Sequence, residues 1–246
     1  GLGVWRVRDE AELTAAVHAA ERTGYRAIDT ARAYQNEDMV GRAVASGPVP
    51  RSELFITTKL WNGDQGYDST LREYEKSLEL LQVDVIDLYL IHWPVPVLDK
   101  YAESWKAMVR LYEEKRVRAI GVCNFKKHHI ERLVAETGVA PMVNQVECHP
   151  RHPQTDMLAY CQANGIQMEA YSPLLSGHLG EIAPALLPIA EKHGKTPAQI
   201  VLRWHLDRGV VVIPKSVHEN RIVENAGVFD FSLDEADIAA IAALED

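Results

Sequence analysis

The stretch LFITTKLWNGDQGYDSTLREYEKSLELLQVDVIDLYLIH, residues 54–92, decides the fold. It opens on a short β-rich run, Leu54 to Lys59. Leu71, Tyr74, Leu78 and Leu81 then recur at helical spacing, and a second apolar run, Val85 to His92, follows. A strand, an amphipathic helix and another strand make a βαβ unit, the connection that parallel strands need. The same alternation continues in both directions. Further strands are predicted at Gly1 to Trp5, Arg26 to Asp29, Val117 to Val122, Met142 to Val146, Ile166 to Tyr171 and Val210 to Pro214. Helical periodicity falls between them at Leu13/Val17, Trp105/Met108/Val109/Tyr112 and Ile130/Leu133/Val134, and over 184–193, 196–208 and 233–244. Eight strands, each followed by a helix, over 246 residues predict an α/β fold, a (β/α)8 TIM barrel, with residues 1–246 forming a single domain. An open doubly wound sheet gives a similar string. Its dinucleotide-binding form, however, carries G-x-G-x-x-G after the first strand, whereas this chain runs Gly1-Leu2-Gly3-Val4-Trp5-Arg6 and has no G-x-x-x-x-G-K-[ST] loop. The sequence starts inside the first predicted strand and stops just after the last predicted helix, so an N-terminal start and a C-terminal tail are expected to be missing from it.

Composition narrows the classes of function. An apolar share of 47% with 25% charged residues is that of a globular protein, not of a disordered or fibrous chain. No uncharged apolar run approaches the roughly 18 residues of a membrane span, and the first residues lack the basic start and apolar stretch of a signal peptide. Cys123, Cys148 and Cys161 are odd in number and form no C-x-x-C pair, which suits free thiols in a reducing compartment. A cytoplasmic protein without membrane partners is expected. The net charge of −9 repels a phosphate backbone, and the Lys126, Lys127, His128, His129 cluster reads as a solvated helix start, so no nucleic-acid partner is expected. Cys148, His149 and His152 do not have a standard zinc spacing, and no metal is expected. Serine hydrolase, zincin and deaminase motifs are all absent from the sequence.

In a barrel the chemistry gathers at the C-terminal ends of the strands. The polar residues there are Asp29 with Tyr34 just beyond, Lys59, His92, Asn124, Gln145, Glu147, Tyr171, Ser172, Lys215 and Ser216. Taken singly, each reads as a solvated, capping or structural residue; it is their ordered occurrence at successive strand ends that points to a site. A lysine ending the run 54–59 faces a poorly solvated mouth and needs an anion, which Asp29 can supply. That lysine, close to a phenol, is expected to lower the pKa of Tyr34 and make it a proton donor. His92 can hydrogen-bond a carbonyl and orient it toward that donor. Nothing in this set delivers a hydride, so a redox cofactor is implied. Trp5, Trp61 and Trp93, at or just past strand ends, are expected to wall a substrate pocket.

The segments GYRAIDTARAYQNE (24–37), DLYLIHWP (87–94), NQVECHP (144–150) and IPKS (213–216) closely resemble signatures of the aldo-keto reductase superfamily, nearest to its bacterial 2,5-diketo-D-gluconic acid reductase branch. The resemblance runs over essentially the whole chain. It implies an NADPH-dependent oxidoreductase that reduces aldehydes or ketones, α-dicarbonyls or keto-sugars among them, with a catalytic tetrad of Asp29, Tyr34, Lys59 and His92 and Tyr34 as general acid. It further implies that Tyr171 stacks on the nicotinamide, that Asn124 and Gln145 hold its carboxamide, and that Ser172 and Leu174 also contact the cofactor. Lys215, Ser216 and Arg221 match residues that hold the adenosine 2′-phosphate, favouring NADP over NAD; Arg221 and Asn225, four apart on a helix, face the adenine end. The usual Gly-Val-Ser-Asn reads Gly121-Val122-Cys123-Asn124 here, and a thiol is the weaker donor. Residues 176–181 correspond to a loop over the cofactor pyrophosphate, with Gly177 and Gly180 giving it freedom. A monomer acting on a small carbonyl substrate is the implied state. The alternatives are a cofactor-binding sensor or accessory subunit of the same fold, and a metal-dependent barrel hydrolase, which lacks here the inward His-x-His pair it requires.

Overall fold

A computed structural model describes residues 1–245. Its strands are β1 (Leu2–Gly3), β2 (Ala27–Asp29), β3 (Phe55–Leu60), β4 (Ile86–Ile91), β5 (Val117–Cys123), β6 (Val143–Glu147), β7 (Gln167–Tyr171) and β8 (Val211–Val212). Each pairs in parallel with the next in chain order. The ring closes where the Gly1 amine donates to the Val212 carbonyl at 2.9 Å and the Gly3 amide to the Pro214 carbonyl at 3.2 Å. The predicted (β/α)8 barrel is therefore the fold.

The outer layer contains α1 (Glu10–Thr23), α2 (Glu37–Ala45), α3 (Tyr67–Leu81), α4 (Tyr101–Glu113), α5 (Lys127–Thr137), α6 (Thr155–Ala163), α7 (Ala183–His193), α8 (Pro197–Asp207), α9 (Glu219–Ala226) and α10 (Glu235–Ala242). None of these helices is long and apolar enough to cross a membrane. Helix starts follow local chemistry: the Asp9 carboxylate accepts from the Glu12 amide at the head of α1, and Thr196 and Gln199 form a reciprocal capping box on α8. Periodicity did not reveal α2, whose buried apolar face is Val40, Ala43 and Val44, or α6, which buries only Leu158 and Cys161.

The end strands are shorter than expected, with two residues each in place of five. After β1, the Val4 amide still bonds to the Asp29 carbonyl, but the Val7 amide turns back onto Val4 and Arg6 takes a left-handed φ of 62°. This lifts Trp5 out of the ladder and into the mouth. On the closing side Pro214 has no N–H to extend β8.

Strand alternation splits the chain into two apolar compartments. One side of the strands meets the helices in a large annular core that includes Ile56, Tyr89, Ile120 and Val122. The other side faces the barrel axis, where Leu88, Leu90 and Cys123 pack with Phe55, Ala119 and Val143. Asp29, Lys59, Gln145, Glu169 and Tyr171 belong to this inward set by period-two spacing or cross-strand register, which is how separate strands come to build one polar cluster. Gly121 allows β5 and β6 to approach: a Cβ there would meet the Val143 carbonyl oxygen at 2.5 Å and Leu90 Cδ2 at 2.8 Å. Gly121→Ala should accordingly lower stability by about 1–3 kcal/mol in urea denaturation, as overpacking does. Gly180→Ala, whose Cβ meets nothing within 4 Å, should leave the midpoint unchanged.

Candidate active site

Asp29 ends β2, Lys59 is the penultimate residue of β3, and His92 follows β4 directly, with its amide donating to the Leu60 carbonyl at 3.1 Å. Tyr34 closes a one-turn 3-10 helix, Arg32–Tyr34, just past β2. These four residues converge at the C-terminal end of the ring. The Lys59 ammonium is fully buried and uses its three donors on Asp29 Oδ1 at 2.6 Å, the Thr30 carbonyl at 2.9 Å and Tyr34 Oη at 3.3 Å. Burial opposes its charge, but Asp29 and Tyr34 more than restore it and hold the lysine pKa above its ordinary value. The second Asp29 oxygen, Oδ2, accepts from Gln145 Nε2 at 2.9 Å, and the same nitrogen donates to Glu169 Oε2 at 2.8 Å. Burial, followed by the neighbouring Asp29 charge, lifts the Glu169 carboxyl above the usual carboxylate range.

The expectation that Lys59 leaves Tyr34 with a lowered pKa is corrected. The lysine does act in that direction, yet burial of the phenol is the larger effect and the net pKa lies above 10. Tyr34 thus holds its proton at neutral pH, and the adjacent cation compensates the phenolate only once the proton has left. His92 sits edge-on to Tyr34, with ring centroids 5.9 Å apart, and edge-on to Trp61 at 5.4 Å. Burial and then the Lys59 charge push its pKa down to about 3, so the ring is neutral, and its Nδ1 is buried without a hydrogen-bond partner.

A cavity of about 850 Å³ opens over this cluster. Of the residues singled out from sequence, Asp29, Tyr34 and His92 line its floor, Asn124, Gln145, Tyr171, Ser172 and Leu174 line one wall, and Lys215 borders it. Trp5, Trp61 and Trp93 line it as well and keep 39–45% of their surface exposed, which favours the pocket over core packing for all three. Lys59 does not line the cavity itself but bonds to Asp29 and Tyr34, which do. The Asn124 amide is committed at both ends: Nδ2 donates to the His92 carbonyl at 3.1 Å, and Oδ1 accepts from Tyr171 Oη at 2.9 Å. Asn124 and Ser172 have left-handed φ values of 62° and 51°, costly backbone states that cluster at working sites. Ser176 Oγ donates to Ser172 Oγ at 2.8 Å, tying the following loop to the end of β7. Cys123 reaches the cavity as a buried thiol whose pKa desolvation pushes well above 9.

Three expected cofactor residues do not line this cavity. Ser216 is buried and its hydroxyl accepts from the His218 amide, closing a local turn. Arg221 and Asn225 lie on α9, the first exposed and the second buried. Sequence reasoning also missed Arg6, which lines the cavity with its guanidinium 4.1 Å over the Trp5 ring, and Glu169, whose signal was the inward position two residues before Tyr171.

A parallel eight-stranded barrel with a buried lysine–aspartate pair under a phenol and a neutral imidazole, at the floor of an aromatic-walled cavity, defines a barrel enzyme equipped for proton transfer to an oxygen. A family model described as Aldo/keto reductase family matches residues 1–246, and the chain belongs to that family. It is 53% identical over 244 residues to a glyoxal reductase of Bacillus subtilis, covering 99% of this chain and 87% of that protein. To the methylglyoxal reductase DkgA of Salmonella typhimurium it is 52% identical over 246 residues, covering 100% and 88%. Among solved structures, a mutant of Gox0644 in complex with NADPH superimposes with a TM-score of 0.94 at 46% identity, covering 100% of this chain and 89% of that one.

The electrostatics of His92 can be checked directly. Because its folded pKa lies far below 6.5, the neutral ring should persist down to roughly pH 4, and its ring resonances should stay constant between about pH 5 and 8 in an NMR titration. A midpoint near 6.5 for His92 would contradict the desolvated site.

Proposed function

We propose that the chain reduces aldehydes and ketones, small α-dicarbonyls among them, to alcohols, with NADPH as reductant and Tyr34 as proton donor. The observation that carries this reading is the Lys59 ammonium held between Asp29 at 2.6 Å and the Tyr34 hydroxyl at 3.3 Å beneath an open cavity. Its kinship with proteins named glyoxal reductase and methylglyoxal reductase supports the dicarbonyl class. NADPH, when bound, supplies a hydride to the carbonyl carbon. The site fits such a group: Tyr171 offers an aromatic face, the Gln145 carbonyl oxygen accepts from no other group among the described residues, and Asn124 borders the same wall. Lys215 and Arg221 would supply cations suited to a 2′-phosphate, and Ser216 and Asn225 neutral polar groups at the adenosine end, the last three lying beyond the cavity.

Within this site the neutral His92 ring hydrogen-bonds the carbonyl oxygen and directs it toward Tyr34. Tyr34 transfers its proton to that oxygen as negative charge develops there, and Lys59 stabilises the phenolate left behind. Solvent then returns the proton to Tyr34. The tryptophans exclude water and accept apolar substrate surface. An intact proton-delivery set argues against a sensor that merely binds cofactor. The three free buried thiols support a reducing, cytoplasmic setting, the −9 charge argues against a nucleic-acid partner, the family resemblance favours a monomer, and the single closed ring supports one domain.

Tyr34→Phe should lower NADPH oxidation with methylglyoxal by about 10² to 10⁴, the usual worth of a general acid, while NADPH binding followed by tryptophan quenching stays within about twofold. Undiminished turnover would overturn the acid assignment.

A further inference from the structure

Glu169 takes no part in the proton transfer, yet it lies against the cluster that performs it. It stands directly across from Gln145 in the β6–β7 register, at a buried, inward position of β7. Gln145 Nε2 donates to Glu169 Oε2 at 2.8 Å and to Asp29 Oδ2 at 2.9 Å. A primary amide nitrogen carries two hydrogens, and here both go to carboxylates. The remaining polar atom of that side chain, Oε1, accepts from no group among the described residues, and Gln145 lines the cavity. Flipping the amide would turn an oxygen toward two carboxylates, so the orientation is fixed.

We propose that Glu169 is a positioning residue which, together with Asp29, fixes the Gln145 amide as a pure hydrogen-bond acceptor at the cavity wall and so selects a cofactor ring substituent that donates N–H. This deepens the NADPH reading and rests on it: the nicotinamide carboxamide is such a donor. Asp29 alone would occupy one of the two hydrogens and leave the other free for the cavity. The second carboxylate removes that choice. Glu169 acts only through Gln145, and the barrel axis is the one place where β2, β6 and β7 can bring their side chains to a shared amide.

The test compares affinity for NADPH with affinity for its 3-acetylpyridine analogue, in which a methyl ketone without N–H replaces the carboxamide. Dissociation constants are read by tryptophan quenching on the alkaline side of neutral, where the Glu169 carboxyl is ionised. The wild-type protein should bind NADPH about tenfold or more tightly than the analogue, the worth of one buried hydrogen bond. Glu169→Leu should shrink that ratio to about two- to threefold, mainly by weakening NADPH, and Glu169→Gln, whose carbonyl can accept the same N–H, should retain it. Should Glu169→Leu not fold, Glu169→Ala provides the same comparison. An unchanged ratio in the apolar variant, or a wild-type protein that binds both dinucleotides equally, overturns the assignment and leaves NADPH binding intact. A wild-type protein that binds neither overturns the cofactor reading and this assignment with it.

Discussion

A lysine ammonium with no exposed surface is tolerable only because Asp29 lies 2.6 Å away, and the rest of the site follows from that pair. Taking either charge out of water costs several kcal/mol, and removing one partner would strand the other at a cost of about 3–5 kcal/mol. The pair is kept where function needs it. Lys59 faces Tyr34 on one side, while the second oxygen of Asp29 anchors Gln145 on the other. The same cation adds to burial in keeping His92 neutral, so one buried charge acts on both the phenol proposed as proton donor and the imidazole beside it.

The barrel makes this arrangement reproducible. Period-two alternation sends apolar side chains such as Ile56 and Tyr89 outward to the helices and Lys59 inward, and register then brings Cys123, Gln145 and Glu169 abreast on β5, β6 and β7. Helices and annular core pack around the ring, while the residues that line the cavity stand at strand ends or on the loops beyond them. Asn124 and Ser172 adopt left-handed backbone there, strain that the packed scaffold can support.

Much of this was legible in the sequence. Eight β-rich runs separated by helical stripes imply the ring, and a lysine ending an apolar run has to find an anion, which leads to Asp29 and the phenol nearby. The ends of β1 and β8 were harder, because Arg6 turns left-handed and Pro214 interrupts the ladder, features of the three-dimensional path and not of hydropathy. The direction of the Tyr34 shift was misread: an adjacent cation is visible in a motif, while the larger desolvation is visible only in the folded site. Glu169 was missed because an isolated acidic residue in QMEAY looks solvated until the register sets it against Gln145.

The most direct test of the account is a crystal structure of the protein with NADP and an unreactive carbonyl ligand, read for the position of the carbonyl oxygen. The account predicts that oxygen within about 2.6–3.2 Å of both Tyr34 Oη and a His92 ring nitrogen, with Lys59 still on Asp29 and Tyr34. A ligand whose carbonyl turns away from Tyr34, or a Lys59 that leaves Asp29 when the cavity fills, would contradict it.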